Sequence, residues 1–295
     1  MTHSLSVIIP TFNTGSYLAK CLGSLVMQIS PRLNLDIVVV DDGSTDNTEA
    51  VASSFAPHIQ YHRIGHTGRP GTVRNHGLRL ASGEFVAFLD SDDTSLPGGL
   101  ERLVGAVSRE ADVGFAYANY YIREGDTSYP AYQRESPSGW IFDELFRANF
   151  IRTSAVVAER RLVEECRGFF PHTETAEDYW LWLQLAKRAR GVYLPDAVAE
   201  VSARADSASG RPVVEKLPDL IQVVLAIAEE FQVPRPLVLE RVNPLRLWLA
   251  KELLRVGRPW AASVYATQAL VAQPGLLSSW AFLRSEKALP RKGAR

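Results

Sequence analysis

No stretch of this 295-residue chain stays apolar for the roughly 20 positions that a bilayer-spanning helix needs, so no transmembrane helix is expected. Cysteine is scarce. Cys21 and Cys166 stand far apart in apolar, helix-patterned surroundings. That argues against a disulfide framework and a zinc site, and suggests a reducing compartment. An excess of one charge is also lacking: 32 Lys and Arg face 33 Asp and Glu, and a net charge of -1 offers nothing to nucleic acid. The six histidines show no H-E-x-x-H spacing. No G-x-G-x-x-G follows the first strand, and no G-x-x-x-x-G-K-[ST] occurs. Zinc hydrolysis, Rossmann-type dinucleotide binding and P-loop chemistry are thereby set aside. Met1 to Ser4 lead directly into a strand, so no leader peptide is expected and the reading is cytoplasmic.

What is present is acid at the ends of apolar strands. Val38-Val39-Val40 runs into Asp41-Asp42-Gly43-Ser44, and Phe88-Leu89 runs into Asp90-Ser91-Asp92-Asp93. In open parallel sheets ligands bind at the carboxyl ends of the strands. Carboxylates gathered there repel one another unless a cation or hydrogen-bond donors offset them. A divalent metal holding a phosphate would do so, because hard cations take both kinds of oxygen. Turn chemistry accounts for Gly43 and Ser44, but less well for two adjacent aspartates. In the second cluster Asp90 and Asp92, two apart, would share one side of an extended segment and one ligand.

The elements around these clusters alternate. Leu5 to Pro10, Asp36 to Val40, Ile59 to Ile64, Glu84 to Leu89 and Val113 to Ile122 read as strands. Helical segments separate them, with Asp46 and Glu49 at capping-box spacing before one and Ser95 as the cap of another. This predicts an α/β, doubly wound, mostly parallel sheet. Gly65 to Gly71, with His66 and Arg69, reads as a loop before a short helix carrying Arg74; His62, His66 and His76 are assigned to surface or loop. Arg123 to Trp140 reads as a surface loop, and Ser154 to Ala158 as a strand. Glu177-Asp178 opens a helix rich in Trp and Leu. There acidic residues suit the helix dipole, and a carboxylate beside Trp180 would also make a base. From Val213 the chain reads as all helical, with a boundary near Gly210: residues 1-210 form one domain and 211-295 a helical extension.

Taken together, these blocks resemble the family 2 glycosyltransferases of GT-A fold. Ser6-Val7-Ile8-Ile9-Pro10-Thr11-Phe12-Asn13 and Val39-Val40-Asp41-Asp42-Gly43-Ser44 look like that family's opening. Arg74-Asn75-His76-Gly77-Leu78 matches its next block, Asp90-Ser91-Asp92-Asp93 its D-x-D motif, and Glu177-Asp178 its E-D motif. The likeness covers about residues 4 to 210.

The resemblance implies roles. Pro10, Phe12 and Asp42 would surround a nucleobase, and Arg74 would help hold the nucleotide. Asp90 would contact ribose or sugar, and Asp92 would bind Mn²⁺ or Mg²⁺ bridging the diphosphate. Asp178 would be the general base of an inverting transfer from a nucleotide diphosphate sugar, with a UDP-sugar favoured. Glu177, Trp180 and the Gly168-Phe169 segment would shape the acceptor side. One block departs: a histidine usual in relatives is missing from Val201-Ser202-Ala203-Arg204-Ala205-Asp206-Ser207. Either Arg204 replaces it at the leaving phosphate or the loop is displaced.

The implied acceptor is a glycan, a lipid-linked sugar or a small molecule, in cell-surface polysaccharide or glycoconjugate synthesis. A catalytically silent nucleotide-sugar or glycan-binding scaffold is the alternative. Nucleotidyl transfer, which would release pyrophosphate, fits Glu177-Asp178 poorly. For the C-terminal helices the sequence leaves open homodimerisation, docking to a partner, peripheral membrane association, and simple packing.

Overall fold

In the computed structural model, which describes residues 2–132, 135–203 and 210–273, the chain forms two compact units, Met1–Arg211 and Pro212–Arg295. The first unit runs β1 (His3–Thr11), α1 (Gly15–Val26), β2 (Leu33–Asp41), α2 (Thr48–Ser53), β3 (Ile59–Arg63), α3 (Pro70–Leu80) and β4 (Phe85–Phe88). It continues with β5 (Thr94–Ser95), α4 (Gly99–Val107), β6 (Val113–Ala118), β7 (Tyr121–Glu124), β8 (Thr127–Pro130) and α5 (Phe142–Arg147). A 3-10 turn at Thr153–Ala155 leads into β9 (Val156–Glu159), α6 (Arg160–Glu165), α7 (Glu177–Arg188), β10 (Arg190–Leu194) and β11 (Ala199–Ser202).

Seven strands make the main sheet in the order β10-β6-β9-β4-β1-β2-β3. All neighbours are parallel except β9, which is antiparallel to both β4 and β6. Leu5, Val7, Ile8 and Ile9 of β1 are buried, as are Val38, Val39 and Val40 of β2. Both faces are thus covered, as runs of β-branched residues in a parallel sheet require. Leu18, Leu22 and Leu25 of α1 and Leu103 and Val104 of α4 fill one face, each worth roughly 1.5–3 kcal/mol on burial. Tyr179 and Trp182 of α7 and Phe146 of α5 lie fully buried. β1 leads rightward to β2 and β3, while β4 returns on its other side, so the strand order reverses at β1. Registers align the strand ends: Thr11 faces Asp41, and Ile8 faces Phe88.

Four expectations change. Val113 to Ile122 is not one strand. The buried Asn119 uses its side chain to accept the N–H groups of Tyr120 and Tyr132 (2.9 and 3.1 Å), which breaks the ladder. The chain then enters a second sheet, ordered β5-β11-β7-β8, so part of the expected surface loop is the β7–β8 hairpin. Ser95 caps no helix: it pairs with Ala199 in β5, and α4 begins only at Gly99. Asp46 makes no capping box. Its two oxygens accept Thr48 N–H (3.0 Å) and Gly15 N–H (3.1 Å), tying the starts of α1 and α2 together.

The second unit contains α8 (Val213–Glu230), α9 (Arg235–Arg255) and α10 (Pro259–Ala272). α9 packs against both α8 and α10. The expected last helix, Leu276 to Leu289, lies outside the described residues, as does Arg204. Among the described residues no helix is long and apolar enough to cross a membrane.

Candidate functional site

A cavity of about 350 Å³ opens at the carboxyl ends of β1, β2 and β4. This is the crevice where the strand order reverses, the usual ligand position in an open α/β sheet. Pro10, Phe12, Asp42, Arg74, Asp90 and Asp92 all line it. Residues of separate stretches therefore meet in one place. Two hydroxyl contacts link the strand ends, Thr11 to Thr14 (2.6 Å) and Thr14 to Ser91 (2.9 Å).

The paired acids at the end of β2 divide their work. Asp41 is fully buried; its oxygens accept Ser44 N–H (2.8 Å) and the Tyr61 hydroxyl (2.5 Å). It closes the turn that Gly43, at φ 79°, makes possible. Asp42 lies at the cavity and accepts the N–H groups of Thr67 (2.7 Å) and Gly68 (2.9 Å), with His66 Nδ1 at 3.1 Å from Oδ2. The glycine loop is thereby wrapped around one carboxylate. It carries His66 onto Phe12, with ring centroids 4.2 Å apart and planes within 25°. His66, read from sequence as surface or loop, is thus a cavity residue; its place in the glycine-rich loop was the only signal.

The cluster after β4 is built around Arg74, which is 5% exposed. Its two terminal nitrogens donate to Asp90 and to Glu177, each at 2.5 Å, and its guanidinium lies 5.3 Å from the centroid of the Phe169 ring. Burial disfavours the Asp90 charge, but Arg74 and Arg152 outweigh it and hold that carboxyl below its ordinary range. Glu177 shares Arg74 with Asp90. Burial and the adjacent Asp178 therefore prevail, and its pKa is pushed up to about 7. Gly71 lets Glu177 approach: a Cβ there would stand 2.7 Å from Glu177 Cγ. Asp93 points inward, accepting the Ser154 hydroxyl (2.5 Å) and Ser202 N–H (2.9 Å). Burial, with Asp90 nearby, raises it to about 7.

Asp178 lies outside the cavity lining but beside it. Its Oδ2 accepts the Thr153 hydroxyl (2.8 Å) and its Oδ1 the Tyr179 N–H (2.7 Å). Its charge acts on Arg74 and Arg152, both of which line the cavity. Ala176, at φ 60°, turns the chain sharply into α7 and sets both acids; such backbone costs of order 1–3 kcal/mol. Trp180 is partly exposed and packs on Phe170 at 4.7 Å. Phe169 corrects its expectation. It has no exposed surface and packs edge-on against Phe88 and Trp182, so it supports Arg74 from the core instead of facing an acceptor. Arg152, Ser202, Glu174 and Arg211 also line the cavity. No sequence motif marks them.

A divalent cation fits this donor set. Among the described residues no group of three or more His, Cys, Asp or Glu forms a cage. Mg²⁺-like ions need none, since they take one or two carboxylates plus substrate phosphates and keep several waters. Asp92, on the cavity wall, is the carboxylate that would hold it.

Comparison with known proteins gives a consistent picture. The family described as "Glycosyl transferase family 2" matches residues 6–165. The chain is similar to the uncharacterized glycosyltransferase YibD of Escherichia coli (strain K12), with 37% identity over 130 residues, 43% of this chain and 37% of YibD. It is also similar to the Escherichia coli UDP-Glc:alpha-D-GlcNAc-diphosphoundecaprenol beta-1,3-glucosyltransferase WfgD, at 29% identity over 63% of this chain and 70% of WfgD. The first three curated relatives are matched over only 37%, 40% and 54% of their own lengths. Among solved structures, S. aureus TarS 1-349 in complex with UDP-GlcNAc superposes with a TM-score of 0.73, at 23% identity, over 92% of this chain and 80% of that one. The mannosyltransferase PcManGT from Pyrobaculum calidifontis, in complex with GDP-Man and Mn2+, gives 0.65 at 20% identity, over 97% and 82%.

Proposed function

The chain belongs to glycosyl transferase family 2 and has the GT-A fold, and from that premise we propose that it moves a sugar from a nucleotide diphosphate donor to an acceptor hydroxyl with inversion. One observation carries this reading: Asp42, Arg74 and the pair Asp90 and Asp92, from three separate places in the chain, wall one cavity at the reversal of strand order. A UDP-sugar is the favoured donor, supported by the UDP-Glc of WfgD's name and the UDP-GlcNAc held by TarS.

In this reading Phe12, stacked on His66, offers its ring to the nucleobase, and Pro10 and Asp42 close round it. Arg74 fixes Asp90 toward ribose or sugar. A divalent cation held by Asp92 would supply positive charge to the diphosphate. Asp178, oriented by Thr153 and the Tyr179 N–H, accepts the proton of the acceptor hydroxyl. That oxygen forms a bond to the anomeric carbon from the side opposite the diphosphate. The bond from that carbon to the phosphate oxygen breaks, and the nucleoside diphosphate leaves with the electron pair. Trp180 and Glu177 border the acceptor side. The acceptor is a glycan, lipid-linked sugar or small molecule of cell-surface polysaccharide or glycoconjugate synthesis.

The test is a panel of UDP-, GDP- and dTDP-sugars with Mn²⁺, in which nucleoside diphosphate release and glycosylated acceptor are followed by mass spectrometry. Asp178→Asn is expected to lose about 10²- to 10⁴-fold in transfer while binding donor as before. Full transfer by that variant would remove Asp178 as the base. Binding by the parent chain without release from any donor would favour a silent scaffold.

A further inference from the structure

Among the described residues four arginines line the cavity, and three are accounted for. Arg74 is divided between Asp90 and Glu177. Arg211 is paired with Glu174. Arg69 lies exposed in the glycine loop. Arg152 differs. It is partly buried and, among the described residues, forms no ion pair; its Nε, like that of Arg74, is buried with no hydrogen-bond partner. The charges of Asp93, Asp90 and Asp178 surround it without contact. Its chain neighbour Thr153 holds Asp178. Arg152 therefore lines the cavity within the field of both the acid that would meet the sugar and the acid that would take the proton. A guanidinium is a rigid planar fork suited to carboxylate and phosphate oxygens.

We infer that Arg152 binds an anionic oxygen of the donor beyond its nucleoside, belonging either to the terminal phosphate or to a carboxylate on the sugar. The inference rests on the donor-transfer reading above and adds a residue to it. Nothing in Asn149 to Ser154 as a sequence announces the role. It follows from the 3-10 turn at Thr153–Ala155, which sets Arg152 beside the end of β4. If the anion is the phosphate, Arg152 supplies charge to the leaving group. If it is a sugar carboxylate, Arg152 selects for acidic donors.

Calorimetric titrations of the full chain with UMP, UDP, UDP-glucose and UDP-glucuronate at fixed Mn²⁺ decide this, with GMP, GDP and GDP-mannose run in parallel. Arg152→Gln is expected to leave nucleoside monophosphate affinity within about 2-fold and to weaken its target by about 10- to 100-fold. Weaker UDP and UDP-glucose together identify the phosphate; weaker UDP-glucuronate alone identifies the carboxylate. Equal weakening of every ligand, UMP included, or no weakening at all, overturns the inference. Should Arg152→Gln not fold, Arg152→Lys keeps the charge and loses the fork; it must keep UMP binding and weaken the same ligand by a smaller factor, and unchanged affinity overturns the inference equally. A parent chain that binds neither series, nor dTMP, dTDP and dTDP-glucose run alongside, fails the donor reading itself, and this inference falls with it.

Discussion

The ends of β2 and β4 carry similar strings of acid, yet the fold holds them by different means. Each contributes one buried aspartate that serves the backbone, Asp41 on one side and Asp93 on the other. Each contributes cavity-lining acid, Asp42 on one side and Asp90 and Asp92 on the other. Asp42 is held by two neutral backbone N–H groups. Asp90 is held by a side-chain cation that must also satisfy Glu177. Backbone dipoles are fixed, whereas two carboxylates sharing one permanently charged guanidinium compete for it, and Glu177 is pushed up to about 7. The β2 side is therefore set by chain geometry and the β4 side by charge balance.

The largest expected contrast is catalytic. Asp92→Asn should lower transfer by about 10³-fold and abolish its response to Mn²⁺, whereas Asp42→Asn should cost about 10-fold, mostly in donor KM. Equal losses, with equal Mn²⁺ response, would erase the distinction. Next comes the shared cation. Arg74→Leu leaves the buried Glu177 and the half-buried Asp90 without their partner, and should cost about 3–5 kcal/mol in urea unfolding. A cost under about 1 kcal/mol would mean that the β4 side does not depend on this pair.

The third contrast is with pH. Glu177 has a pKa near 7 in the fold against an ordinary 4.5, so the native state keeps a proton that the unfolded chain releases. Its contribution to stability is full below pH 4.5 and is lost as pH rises through about 7. At most this amounts to roughly 3 kcal/mol. Glu177→Gln should reduce the slope of urea midpoints across that window, the remainder belonging to Asp93, which is also raised to about 7; an unchanged slope would assign the titration elsewhere. The smallest effect belongs to the β2 side. His66→Ala removes the ring stacked on Phe12 and should weaken donor binding by about 2- to 10-fold, near 0.5–1.5 kcal/mol. Unchanged donor affinity in that variant would show that the stacked pair does not serve the donor.

Much of this was legible in one dimension. Apolar runs gave β1, β2 and β4, and the acids that follow them mark the carboxyl edge where the cavity lies. α10, Pro259–Ala272, lies within the stretch from Val213 that reads as all helical. What stayed hidden has identifiable causes. Asn119 breaks a strand through bonds to Tyr132, a partner set by the fold. Phe169 is expected on the acceptor side from the resemblance, but packing between Phe88 and Trp182 buries it. His66 and Arg152 belong to no motif, and their importance lies in the residues they meet.

The sequence alone determined that acids would crowd the ends of buried strands, because alternating apolar and helical periods leave few other topologies. It also determined which stretches supply them. Only the tertiary structure decided which acid of each string turns outward. Asp41 turns inward because Tyr61 of β3 waits there with a hydroxyl, and Asp93 because Ser154 and Ser202 do. A carboxylate settles where donors offset its loss of water, and those donors come from chain far away in sequence.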